Sequence, residues 1–178
     1  AVAGAPNRPN GSIVEAGGAY LFQRTANGTW VHTGAILDDN TADGGHWQNL
    51  GRSVAIAGDV LVVGAPDGDP DYQQASIEGY IKVFRYQAGS WVQSGPARWA
   101  PPRCCGYFGS SVATDGTYIV VGAPRTSTTA AQTPMTGPDE SAGCAFVYKW
   151  NTGTLAWDVD GTLFPQITEE TYDHANRV

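Results

Sequence analysis

Apolar positions fall into short runs along this chain, mostly alternating with polar or small residues at a period of two, and no window carries a helical period. The middle of the chain shows the pattern most fully. Arg52-Ser53-Val54-Ala55-Ile56 alternates, and Ala57-Gly58-Asp59 supplies the residues a tight hairpin turn demands. Val60 to Val63 is apolar without a break, which predicts a strand buried on both faces. Gly64-Ala65-Pro66 ends that strand, because proline cannot donate to a ladder. Tyr80 to Arg85 then alternates with Lys82 outward, and a turn at Gln87-Ala88-Gly89 leads into Ser90-Trp91-Val92-Gln93. Four short antiparallel strands are the expectation for this stretch.

The quartet recurs. Phe108-Gly109-Ser110-Ser111-Val112-Ala113, Tyr118 to Val121 and Gly122-Ala123-Pro124 repeat Leu50-Gly51-Arg52-Ser53-Val54-Ala55, Val60 to Val63 and Gly64-Ala65-Pro66. A further copy is under way at Val2-Ala3-Gly4-Ala5-Pro6. The Gly of Gly-Ala-Pro stands at 4, 64 and 122, spacings of 60 and 58 residues. Third strands recur at Ala19–Phe22 and Ala145–Tyr148, and a Trp marks each fourth strand at 30, 91 and 157. Repeated quartets with one aromatic per unit predict an all-β fold of β-propeller blades, about three in this chain. A β-sandwich has no reason to repeat at this length. The blades fall at about 1–37, 48–99 and 106–165 within a single propeller segment. Residues 166–178 hold a possible first strand, since 174–178 aligns loosely with 50–54.

Composition narrows the partners. Of 178 residues 42% are hydrophobic and 15% charged, so a core is affordable and the chain is not disordered by composition. A net charge of −7 with 10 basic residues in no run excludes a phosphate backbone as partner, and so nucleic acid. No apolar run is long enough to insert into a membrane. With no initiator Met and no leader, the start at Ala1 reads as a processed or excised end. Sequons at Asn10 and Asn27 lie in polar, Gly-containing stretches and are glycosylation candidates. With low charge and cysteines, they favour a secreted or extracellular location.

The linked motifs Phe-Gly, Ser-Val-Ala, Val-Val-Gly-Ala-Pro, Gly-x-x-x-Val-Phe and Trp resemble the FG-GAP repeats of integrin α-subunit propellers, in the shorter form found in secreted microbial proteins. The resemblance implies a propeller and an interaction role. In integrins the turn between the first two strands is an Asp-rich calcium loop. Here it is only Ala57-Gly58-Asp59 or Thr114-Asp115-Gly116, too short to wrap an ion, so that function does not carry over.

Three candidate sites remain. Asp67, Asp69, Asp71 and Glu78 occupy positions 1, 3, 5 and 12 of a calcium-loop pattern, although Tyr72 stands where that pattern has Gly and Pro70 restricts the wrap. A solvated acidic loop is the competing reading, and no other cofactor is expected. One of Cys104 and Cys105, with Cys105 the preferred partner, is expected to bridge Cys144, closing about 40 residues and stabilising by roughly 3–4 kcal/mol, against the competing reading of reduced buried thiols. Cys104 is then free or joins a second subunit. The connections at Asn7–Ala16, Asp67–Glu78 and Arg125–Ala142 and those between blades carry Trp47, Trp99 and Tyr107, which bind a partner from loops or wedge between blades.

Catalysis has no motif. His32, His46 and His174 are scattered, and the neighbours Asp38-Asp39 and Glu169-Glu170 point to opposite faces of an extended chain. The expectation is therefore not an enzyme. It is an extracellular interaction or structural module that binds a protein or glycan partner, self-associates, or belongs to a longer chain. A carbohydrate-binding lectin and an accessory propeller of a larger secreted enzyme are the alternatives.

Overall fold

A computed structural model describes residues 1–11, 14–37, 48–68, 78–101, 106–126 and 143–163. Among them there is no helix, and twelve strands form three antiparallel sheets, each read here as a blade of a partial propeller. Blade 1 is β1 (Val2–Gly4), β2 (Gly18–Arg24) and β3 (Trp30–Leu37). Blade 2 is β4 (Ser53–Ala57), β5 (Val60–Ala65), β6 (Tyr80–Gln87) and β7 (Ser90–Gln93), with β8 (Arg98–Trp99) continuing the outer edge. Blade 3 is β9 (Ser111–Thr114), β10 (Tyr118–Ala123), β11 (Cys144–Asn151) and β12 (Ala156–Leu163). The segment 166–178 lies outside the described residues.

The registers make the repeats superimposable residue by residue. Gly4, Gly64 and Gly122 pair with Ala19, Ile81 and Ala145. Trp30, Trp91 and Trp157 pair with Arg24, Tyr86 and Trp150. The outer strand is irregular at one shared point. Register shifts fall at Leu21/Phe22 in blade 1 and Val147/Tyr148 in blade 3. In blade 2 the outer strand breaks between β7 and β8 at the equivalent Val83/Phe84, where Ser94 N–H donates to Val83 O at 2.8 Å. An extra outer-strand residue bends the edge and strengthens its twist.

Two cores lie between three sheets. One joins Val60, Val62, Ile81 and Val83 of blade 2 to Phe108, Ile119, Val121, Phe146, Tyr148 and Trp157 of blade 3. The other joins Leu61, Val63, Tyr80 and Phe84 of blade 2 to Ala19, Leu21 and Ile36 of blade 1. Successive residues of β5 therefore face opposite neighbours, and Val60 to Val63 is wholly buried, as its unbroken apolar run requires. Among the described residues β10 packs against a neighbouring blade on one face, and Val120 is 36% exposed where its equivalent Val62 is 0%.

This arrangement corrects one expectation. Lys82 is not outward but 3% exposed, since both faces of β6 are covered. Its ammonium lies 6.0 Å from the Tyr80 ring centroid, and the Tyr80 hydroxyl donates to the buried Gln48 Oε1 at 2.6 Å.

Candidate partner-binding end and inter-blade groove

Each second strand ends in Gly-Ala-Pro, so the connections to the third strands and those between blades emerge at one end of the sheets. Two repeat-equivalent contacts tie their roots together. In the first, Asn49 Nδ2 donates to the Asp67 carboxylate at 2.7 Å. In the second, the Arg125 guanidinium sits 4.8 Å from the centroid of the Tyr107 ring. Asn49 and Tyr107 both hold φ near +60°, at 56° and 58°, a conformation that costs energy outside glycine and is kept only where surrounding contacts fix it. Tyr107 O accepts from both the amide and the hydroxyl of Ser110, at 3.1 and 2.7 Å, which supplies those contacts.

The expected site residues divide between this end and the cores. Asp67 is engaged by Asn49, and the Glu78 carbonyl accepts the Phe108 N–H at 3.0 Å; Asp69 and Asp71 lie outside the described residues. Among the described residues no cluster of three or more His, Cys, Asp or Glu is positioned to hold a metal ion. Asp59 and Asp115, the acids of the two short hairpin turns, serve their own turns. Asp59 pairs with Arg85, whose Nε donates at 3.1 Å; Asp115 accepts the amides of Thr117 and Tyr118 at 2.8 and 2.7 Å. These bonds hold both carboxyls below the usual carboxylate range.

Among the described residues Cys144 is buried and bonded to no other cysteine, and burial pushes its thiol above the usual range, with Thr126 beside it pulling back. Cys104 and Cys105 lie outside the described residues, as do Trp47, His46, His174, Asp38-Asp39 and Glu169-Glu170. Trp99 belongs to β8 rather than to a loop, half-buried with its ring 4.7 Å from Tyr80. Asn27 is exposed at the tip of the β2–β3 hairpin, its Oδ1 accepting Thr29 N–H at 3.2 Å. Asn10 is half-buried, and Ser12 of its sequon lies outside the described residues.

A groove of about 510 Å³ runs between blades 1 and 2, lined by Phe22, Gln23, Ile36, Ile56, Tyr86 and Trp91 among others. Sequence reasoning missed it, and comparison of the two blade boundaries explains it. At the blade 2–3 boundary the Arg85 guanidinium lies 4.6 Å from the Trp150 centroid, and the fully buried Trp157 packs beside it. At the blade 1–2 boundary the equivalents are Gln23, Tyr86 and Trp91. The shorter Gln23 leaves room where arginine fills it, so Trp91 and Tyr86 keep partly open faces, their rings 5.3 Å apart.

The third unit also has a known counterpart. Residues 106–148 match the FG-GAP repeat. A search of curated proteins returns no match. FG-GAP repeats are typical of extracellular proteins and of protein-interaction modules, and the match spans the Phe108-Gly109 turn, β9, β10 and most of β11. Among the described residues no helix is long and apolar enough to cross a membrane.

Proposed function

We propose that this chain is a non-catalytic interaction module of an extracellular protein, in which a β-scaffold of FG-GAP blades holds partner-binding loops at the Gly-Ala-Pro end. The observation that carries this is the repeated tie at the loop roots, Asn49 with Asp67 and Tyr107 with Arg125. Fixed roots reduce the ordering cost that a binding loop otherwise adds to association. The partner is a protein displayed outside the cell. The test is binding of the immobilised chain to a panel of extracellular proteins, with Tyr107→Ala and Arg125→Ala as paired variants. Loss of binding at unchanged melting temperature supports the loop end as the contact; binding that ignores both variants rejects it.

A second reading rests on the groove. Tyr86 and Trp91 offer half-open aromatic faces beside polar Gln23, the arrangement of an apolar platform with a few orienting polar groups that small-ligand sites use. A glycan is the matching ligand class. Reproducible binding to one sugar class on a glycan array, lost in Trp91→Ala, selects this reading over the first.

A further inference from the structure

Both described blade boundaries are closed by the same device, a hydrophobic–glycine turn from the following blade. At the first, Leu50 N–H donates to Ala16 O at 3.2 Å and Leu50 O accepts Gly18 N–H at 2.6 Å. Gly51 (φ 91°) lays its carbonyl on the bare α-carbon of Gly4, where a Cβ would overlap it. At the second, Phe108 N–H donates to Glu78 O at 3.0 Å, and the Ser53 hydroxyl donates to Gly109 O at 2.7 Å. Gly109 (φ 91°) rests on Gly64 in the same way. The plugging side chains Leu50 and Phe108 are wholly buried.

Blade 3 carries the same receiving set on its outer side. Gly122 stands where Gly64 does, Ser111 where Ser53 does, and Gly143 (φ 73°) where Gly79 (φ 78°) does. The nearest atoms to a Cβ on Gly122 would be those of the blade's own Ser111, and both Ser111 and Val120 are exposed. Lys149 occupies the place of Arg85, the cation that stacks on the following blade's Trp150.

We propose that this face of blade 3 is a socket for the hydrophobic–glycine turn of a further FG-GAP blade, one not contained in these 178 residues. The rest of the chain cannot supply the turn: residues 164–178 contain no glycine. The register that sets His174-Ala175 on Leu50-Gly51 puts a methyl group where Gly51 has none to spare, against the carbonyl oxygen of the preceding blade. A second copy cannot supply it either, because its Leu50-Gly51 and Phe108-Gly109 turns are already seated internally. The incoming blade would also place an aromatic ring over Lys149, by continuity with the Arg85–Trp150 contact. None of this depends on which partner the loops bind.

The test is an amide chemical-shift titration of the isotopically labelled 178-residue chain with a peptide of its own Gly106–Thr114 sequence. Supporting results are perturbations centred on Ser111, Val120, Gly122 and Gly143, weakened about tenfold or more when the peptide's glycine at position 109 is alanine. The same loss is expected in Gly122→Ala and, if that variant folds poorly, in Ser111→Ala. Tyr107→Ala leaves the titration unchanged, which separates this site from the loop end. The proposal is overturned by silence up to millimolar peptide, or by equal binding of the alanine peptide, which marks an unspecific apolar face. Concentration-dependent shifts at these residues without peptide overturn it too, since self-association would then cover the face.

Discussion

Ser53 donates its hydroxyl hydrogen to the carbonyl oxygen of Gly109 at 2.7 Å, from one blade to the next. That bond holds the oxygen against Gly64, and a Cβ on Gly64 would overlap it. The Gly of Gly-Ala-Pro and the Gly of the following blade's Leu-Gly or Phe-Gly therefore form one inter-blade contact read from two sides. Their spacing in the sequence reflects the packing of neighbouring blades rather than any local turn.

The three Gly-Ala-Pro glycines should consequently differ in tolerance. Gly64→Ala drives a methyl group into backbone at a packed boundary and should cost about 1–3 kcal/mol. For a chain of this length that is a fall in Tm of roughly 2–12 °C. Gly122→Ala overlaps the movable Ser111 hydroxyl rather than backbone and should leave Tm within about 2 °C. Thermal melts of the two variants side by side check this; equal losses would mean that the boundary contact is not what excludes a Cβ.

The three equivalent tryptophans give a second gradient. Each faces the preceding blade, so Trp157 is 1% exposed, Trp91 half-buried beside the groove and Trp30 54% exposed. Truncation to alanine should cost about 3–5 kcal/mol at Trp157 and less than about 0.5 kcal/mol at Trp30, with Trp91 between. The buried indole N–H of Trp157 has no hydrogen-bond partner among the described residues, so Trp157→Phe should cost clearly less than Trp157→Ala. Denaturant unfolding of the four variants tests the order.

Repetition made the blades legible from sequence, because equivalent residues at a fixed spacing must have equivalent surroundings. The same logic failed at Lys82, where alternation with apolar neighbours suggested an outward side chain. A strand between two other blades has no outward face, and period-two alternation cannot report that. The Trp series was visible as a motif, but its burial was not, since it depends on whether another blade precedes. The groove was hidden because it arises from one replacement, Gln23 at the place of Arg85, between positions 62 residues apart in sequence. The pairing of Asn49 with Asp67 gave no signal: Asp67 stood out only as the first acid of a calcium-loop pattern, and the two residues share no motif and meet only through the fold.

The Asp59–Arg85 pair sets an acid-side pH response. The Arg85 hydrogen bond holds the folded Asp59 carboxyl below its ordinary value of 3.8, so its contribution is present above that value and lost as pH falls through the folded one. The pair is solvent-exposed on the Asp59 side, which limits the effect to at most about 1 kcal/mol. Stability measured from pH 6 down toward pH 2 should fall less steeply in Asp59→Asn than in the parent chain. Parallel curves would show that the pair contributes nothing to folding.

Cys144 sets the alkaline counterpart. Its folded thiol titrates above the ordinary value of 9.0 because burial disfavours the thiolate. The folded state therefore keeps a proton that the unfolded state releases, and stability is lost as pH rises beyond 9.0. The same burial governs reactivity, since the thiolate is the nucleophile. At pH 8 Cys144 should resist alkylation in the folded chain and react fully in denaturant, with mass mapping of the 143–163 segment as the readout. Cys144→Ala should lessen the loss that begins above pH 9 without altering the acid-side response, because Asp59 and Cys144 belong to different blades and share no partner. Rapid alkylation of the folded chain would mean that the mouth of blade 3 opens on the timescale of labelling, and that the thiol is available for exchange.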